Sequence, residues 1–230
     1  MKNLVVLTGA GISAESGIST FRDSDGLWEA HDVMEVASPE GWQKNPVLVN
    51  QFYNARRAQL QKVKPNTAHY ILAELEQYYN TQIITQNVDD LHERALSKNI
   101  IHLHGELNKV RPINNNNISI NWENDLKITD QYNGIQLRPH IVWFGEAVPM
   151  LDKAIEIIKK ADILIIIGTS MQVYPAASLY EYAPTSCLIF YIDLNPSESF
   201  IKHQRIITIK NLASKGLTEI KDKLIAFATK

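Results

Sequence analysis

Short apolar runs recur along the chain, at Leu4 to Leu7, Gln82 to Thr85, Ile100 to Leu103, His140 to Trp143, Ile163 to Ile167, Leu188 to Ile192 and Ile206 to Ile209. Most are continuous rather than alternating. A strand covered on both faces reads that way, because side chains pointing up and down both meet a packed layer. Helix-like stretches lie between the runs. Asn45-Pro46 offers a cap and a first-turn proline for a helix reaching about Val63; Pro149 opens a segment that ends near Lys160; and Ala213 begins an amphipathic tail. This alternation predicts an α/β fold with a doubly wound parallel sheet, Rossmann-like, whose ligand lies at the carboxyl ends of the strands.

Two stretches interrupt the rhythm. From Ile18 to about Lys64 the pattern gives a loop and then helices with no strand, and from Gly105 to Leu137 it turns polar. Both read as insertions that build a small module. The expected division is a large part from about 1–24, 65–104 and 138–230, with the module from about 25–64 and 105–137. Within the second insertion, Ile118, Ile120 and Trp122 alternate with polar residues, as a half-buried strand requires.

Composition narrows the function. The 230 residues are 45% apolar, enough for one large α/β domain with a small module. A formal net charge of −2 provides no excess positive field for a phosphate backbone or an anionic bilayer. Nucleic acid and membrane are therefore not expected as partners. No run approaches the roughly 20 apolar residues of a membrane span, and a cytoplasmic location is expected. Cys187, the single cysteine, has no disulfide partner and lies in the apolar stretch CLIFYID, where it reads as a small core residue.

Candidate chemistry begins after the first run. Gly9, Ala10, Gly11 and Ala14 fit G-x-G-x-x-A, in which missing side chains let backbone N–H groups approach a pyrophosphate. An ordinary tight strand-to-helix turn gives the same pattern. A hydride-transfer enzyme would also place an acidic residue at the end of a second strand about 20 positions on. The chain continues instead as Glu15-Ser16-Gly17-Ile18-Ser19-Thr20-Phe21-Arg22-Asp23, which disfavours that class. Gln86, Asn87 and Asp89 follow the run at Gln82, where amide and carboxylate groups can bond ribose hydroxyls and a carboxamide, although Asn and Asp strings also cap helices. His104 follows its run directly and suits proton transfer near neutrality, while a hydrogen-bonded, half-buried histidine is the alternative, and the one that fits His102. Gly168, Thr169 and Ser170 end the most apolar run, where hydroxyls and backbone can meet an adenosine.

Six segments in order, GAGISAESGISTFR, ITQNVDDLHERA, LHGEL, RPHIVWFGE, GTSMQVYPAA and DLNPSE, resemble the successive signatures of the sirtuin family, and the resemblance spans nearly the whole chain. It implies a single sirtuin-type catalytic domain. It also implies NAD as cosubstrate and, as partner, an acylated lysine on a protein or peptide, with release of nicotinamide and O-acyl-ADP-ribose. By the same resemblance Thr20, Phe21, Arg22 and Trp28 join the glycine-rich turn in holding NAD, with Phe21 and Arg22 on a closing loop. Asn195 is assigned to the adenine ribose and Ala213 to the adenine. His104 is assigned as general base beside Asn87, and Val142, Phe144, Gly145 and Glu146 form the substrate strand along which a peptide adds.

Most sirtuins carry two Cys-x-x-Cys pairs after that histidine, forming a tetrahedral zinc site. This chain has none there, so no zinc is expected. Glu123, Asp125 and Asp130 read as solvated carboxylates, and packing of Ile118, Ile120, Trp122 and Leu126 is expected to hold the module instead. Tyr53 and Arg56 lie three apart on the helix after Asn45 and share one face. Core packing of Tyr53 beside a solvated Arg56 is the plainer reading. Yet Phe52 to Arg57 resembles the segment by which one sirtuin class selects succinyl- and malonyl-lysine. Mono-ADP-ribosyl transfer and a catalytically silent NAD-sensing module are the alternative functions.

Overall fold

The computed structural model describes residues 1–19, 27–28 and 31–229, with the backbone alone at 27–28. The chain opens with β1 (Asn3–Thr8), α1 (Gly11–Ala14), β2 (Leu27–Trp28), β3 (His31–Asp32), α2 (Val33–Val36), α3 (Pro39–Lys44), α4 (Pro46–Leu60) and α5 (Thr67–Leu75). Its middle is β4 (Asn80–Thr85), α6 (Leu91–Arg94), β5 (Ile100–His102), β6 (Gly105–Pro112), β7 (Ile120–Asn121), β8 (Gln131–Tyr132) and β9 (Ile135–Ile141). It closes with α7 (Leu151–Ile158), β10 (Ile163–Ile167), a 3₁₀ helix (Ala176–Tyr182), β11 (Leu188–Asp193), α8 (Glu198–Ile201), β12 (Ile206–Lys210) and α9 (Ala213–Ala228).

Six of the seven apolar runs form one parallel sheet in the order β12-β11-β10-β1-β4-β5. The unbroken runs have the expected cause. Val5 and Leu7 of β1 pack with Leu164 and Ile166 of β10 against Ala154 and Ile158 of α7. Leu4 and Val6, pointing the other way, join Ile163, Ile165 and Ile167 against Leu72 and Leu75 of α5 and Leu217, Ile220 and Leu224 of α9. Because the order reverses beside β1, the loops after β1 and β10 diverge and leave a crevice at their carboxyl ends. Helix starts follow their signals: Asn45 Oδ1 accepts the Leu48 N–H at 3.0 Å before Pro46, while Asn66 and His69 close a capping box on α5.

The seventh run departs from expectation. The strand there is β9, which begins at Ile135 and pairs antiparallel with β6 in a separate four-stranded sheet, β7-β6-β9-β8. Its buried Arg138 lies with its guanidinium carbon 3.2 Å from the Trp143 ring centroid and donates to Glu146, so a polar residue just before the run occupies a core position. The stretch from Ile18 to Lys64 also contains a strand pair, since β2 and β3 form a two-residue antiparallel ladder.

Packing holds the small module at Val110, Leu126 and Leu137, with Ile120 and Trp122 against them; Ile118 stands outside this cluster. Polar ties from α4 hold it as well. Arg57, buried, donates from Nε to Leu107 O at 2.9 Å and from Nη1 to Asn124 O at 3.2 Å and Asn54 Oδ1 at 2.8 Å. Asn54 in turn bonds both the N–H and the C=O of Leu126, at 2.9 and 3.1 Å. Cys187 is buried and free, and burial pushes its thiol up to about 11. Among the described residues no helix is long and apolar enough to cross a membrane.

Candidate active site

The crevice beside β1 is a cavity of about 480 Å³, within the usual range for small-molecule sites. At its floor the turn after β1 touches the turn after β10. A Cβ on Gly9 would lie 2.7 Å from Thr169 Cβ, and one on Gly11 would lie 2.6 Å from Gly168 Cα. Gly168 itself has φ +63°, and a Cβ there would come within 2.2 Å of Ile12 N. The Gly9 and Gly11 N–H groups donate to Ile167 O and Gly168 O, at 3.1 and 2.7 Å. These glycines therefore let two backbones interlock beneath the cavity. The Gly9 and Gly11 N–H groups are thus already bonded, so any backbone N–H that approaches a pyrophosphate here belongs to another residue of the turn.

The end of β4 supplies the polar wall. Asn87 donates its N–H to Thr85 Oγ1 at 3.0 Å and its Nδ2–H to Ser13 Oγ at 3.1 Å, and Ser13 Oγ donates onward to Asp89 Oδ2 at 3.0 Å. Asp89 Oδ1 also accepts the Leu91 N–H at 3.2 Å, so the cap reading and the site reading hold together. Burial pushes the Asp89 carboxyl up, against these two hydrogen bonds. Gln86 donates from Nε2 to Thr169 Oγ1 at 3.0 Å, joining the ends of β4 and β10.

His104 Nδ1 lies 3.0 Å from Gln86 O. A carbonyl only accepts, so Nδ1 carries the hydrogen and Nε2 is the basic nitrogen. Burial pulls the imidazole below its ordinary value, with the Gln86 bond opposing, which keeps it neutral at pH 7. Beneath β1 and β4, Thr8 Oγ1 meets Thr85 Oγ1 at 2.8 Å and His92 Nε2 at 3.1 Å, and the His92 ring packs 4.9 Å from that of His69. Desolvation pulls His69 down to about 4 and His92 well below its ordinary value.

Among the described residues, the other end of the cavity is apolar with one cation. Tyr53, fully buried, accepts the Trp143 Nε1–H at 3.1 Å, and burial pushes its phenol well up, so it keeps its hydrogen. Arg56, one turn further along α4, also lines the cavity, its guanidinium carbon 5.3 Å from the Phe52 ring centroid. Residues 142–146 leave β9 as a turn rather than a strand. Val142 N–H donates to His104 O and Phe144 N–H to Ala37 O, both at 2.9 Å. Glu146 receives Arg138 Nη1 at 2.7 Å, Arg111 Nη2 at 3.3 Å and the Trp143 N–H at 2.8 Å, so its carboxylate braces this turn.

One cavity collects Gly9, Ala10, Gly11, Ala14, Gln86, Asn87, Asp89, His104, Gly168, Thr169, Ser170, Asn195 and Ala213 from the strand ends. Tyr53, Arg56, Val142, Phe144, Gly145 and Glu146 line its other end. Thr20, Phe21, Arg22 and the Trp28 side chain lie outside the described residues. Sequence reasoning missed the supports of these walls: Ser13, Thr8, Thr85 and the His69–His92 pair, whose partners are remote in the chain, and Arg138, whose partners are near but follow no local period. Among the described residues, three His or acidic groups converge at Glu93, His102 and Glu106. Glu93 pairs with His102 and Glu106 with Lys109, so this is an ion-pair cluster.

The family model described as "Sir2 family" matches residues 9–175. The chain is 58% identical over 230 residues, the whole of both chains, to an "NAD-dependent protein deacylase" of Helicobacter pylori strain 26695. It is 53% identical to a protein of that name from Bacteroides thetaiotaomicron, over 98% of this chain and 99% of the relative. A solved structure entitled "Crystal structure of a Sir2 homolog-NAD complex" superposes with a TM-score of 0.85 at 40% identity, covering 99% of this chain and 90% of the other. A matching model over most of the length, and relatives more than half identical from end to end, make this chain a member of the Sir2 family.

Proposed function

We propose that this chain is an NAD-dependent protein-lysine deacylase that acts on acyl groups ending in a carboxylate, succinyl and malonyl, in preference to acetyl. NAD is the cosubstrate of this family and supplies an electrophilic ribose carbon with nicotinamide as leaving group. Gln86, Asn87 and Asp89 would hold the ribose and carboxamide, with Ser170 and Asn195 toward the adenosine and Ala213 against the adenine. A cavity of about 480 Å³ rimmed by these groups fits such a ligand. His104 Nε2 accepts a proton from a ribose hydroxyl, its tautomer set by Gln86 O. The apolar walls around Val142, Trp143 and Leu107 exclude water from the carbon that becomes cationic.

The observation that carries the acyl preference is that Arg56 and Tyr53 line the same cavity as His104 and Asn87. An acetyl group asks for no charge there. A terminal carboxylate gains charge-assisted bonds of about 1.5–3 kcal/mol each, or roughly ten- to a hundredfold in selectivity. Steady-state kinetics on succinyl-, malonyl- and acetyl-lysine peptides test this. Arg56→Met is expected to cut kcat/KM on the succinyl peptide at least about tenfold and to change deacetylation much less. A wild-type preference for acetyl, or equal losses on both peptides, overturns the acyl preference and leaves deacylation itself standing.

A further inference from the structure

Asn87 is held at its backbone as well as its side chain. Its N–H is bonded to Thr85 Oγ1, and its C=O lies 3.0 Å from His102 Nδ1. A carbonyl only accepts, so that ring nitrogen carries a hydrogen. The opposite nitrogen, Nε2, is 2.7 Å from Glu93 Oε1. The Glu93 side chain is 40% exposed and keeps water contact, so its carboxylate is ionised and also requires a hydrogen from the ring. Both ring nitrogens of a 9% exposed side chain thus face acceptors.

We propose that His102 and Glu93 are positioning residues: a doubly protonated His102, paired with Glu93, clamps the Asn87 carbonyl and thereby sets the amide that faces the reacting ribose. This rests on the reading of Asn87 given above. His104, two residues on, meets the neighbouring carbonyl of Gln86 in the same way but, among the described residues, has no carboxylate at its other nitrogen. One strand end therefore presents two histidines on adjacent carbonyls, one charged and holding, the other neutral and basic. The surrounding charges agree. Glu106, paired to Lys109, and the buried Asp89 lie near the ring, with neutral His92 behind. Burial opposes a charge on His102, but the Glu93 bond and charge outweigh it and raise the imidazole above its ordinary value, while Glu93 is lowered.

The experiment compares His102→Leu, His102→Asn, Glu93→Gln and Asn87→Ala in the full chain. The Asn side chain can offer one N–H where His offers Nδ1–H. His102→Leu is expected to lower kcat for deacylation on the order of ten- to a hundredfold with NAD affinity within about threefold of wild type. His102→Asn is expected to recover most of that loss. Amide exchange at residues 86–89 should quicken in His102→Leu and return toward wild type in His102→Asn. In wild type the His102 ring, followed by NMR, should titrate above 6.5, and in Glu93→Gln below that value. Glu93 is surface-exposed, so Glu93→Gln carries the test if His102→Leu does not fold. A ring that titrates below 6.5 in wild type, or exchange and kcat both unchanged in His102→Leu, overturns the clamp. Wild-type turnover in Asn87→Ala would instead overturn the role of Asn87, and exchange with the ring titration would still decide whether the clamp exists.

Discussion

Replacing Arg57 by leucine tests what holds the small module to the rest of the fold. Leucine keeps apolar volume but removes three donated hydrogen bonds, to Leu107 O, Asn124 O and Asn54 Oδ1. The buried Leu107 carbonyl loses a charged donor, at about 1–3 kcal/mol, and the part-buried Asn124 carbonyl and Asn54 amide oxygen lose one at a smaller cost. Against that, the folded state no longer carries a desolvated guanidinium, whose burial already lowers its proton affinity. The balance is a loss of about 3 kcal/mol. For a domain of this size that corresponds to roughly 6–12 °C in Tm. Calorimetry gives the global value, and amide exchange shows where it falls: residues 120–127 should lose protection before β1, β4 and β10 do. Arg57→Lys, which keeps a charge without the fork, should fall between. A Tm within about 2 °C of wild type, or uniform loss of protection across both sheets, would refute the idea that this side chain fastens the module.

Three further outcomes are expected. His104→Ala should leave NAD binding within a few-fold of wild type and lower deacylation at least about a hundredfold, as seen in single-turnover assays; since burial lowers this imidazole and its neutral form is the base, the acid limb of wild-type kcat/KM should lie below pH 6.5. His69, pulled down to about 4, binds fewer protons folded than unfolded, so stability is complete above about pH 6.5 and falls toward pH 4 by about 3 kcal/mol. His69→Gln, which can keep the capping box, should flatten that limb in urea titrations at a series of pH values. Gly168→Ala, forced to φ +63° with its Cβ on the Ile12 nitrogen, should unfold more readily and weaken NAD binding, whereas Gly134→Ala, with open space around it, should cost stability without touching NAD affinity in calorimetric titration.

The large sheet was legible because its strands are covered on both faces, which turns burial into unbroken apolar runs such as Ile163 to Ile167. The residues of the cavity were legible because chemistry concentrates at the ends of those runs: His104, Asn87 and Thr169 each follow one within a few positions. The small module was legible as an interruption of the pattern from Gly105 to Leu137, with Ile120, Trp122 and Leu126 in its packing, but its polar ties were not. Arg57 and Arg138 occupy core positions with polar side chains, and only partners such as Asn124, Glu146 and the Trp143 ring make that burial tolerable. Those partners follow from no local period. The glycines were found for an incomplete reason: the turn after β1 was expected to approach a ligand, and the structure shows it pressed against a second turn 157 residues away in sequence, from Gly11 to Gly168. Likewise His102 looked like an ordinary structural histidine, and nothing in its neighbours along the chain showed that both of its nitrogens would find acceptors.

The strand order has a consequence for how the chain is made. β1 lies between β4 and β10, pairing Leu4 with both Thr81 and Ile163. On a ribosome adding about 5–20 residues per second, β4 follows β1 on the order of ten seconds later, and β10 follows β4 only after about as long again. Through that interval the most apolar edge of the nascent sheet, Leu4 to Leu7, has one unpaired side open to other chains. β1 is thus translated before both of its neighbours and closed only by the later one, and its exposure time is set by the length of chain between β4 and β10 rather than by its own sequence.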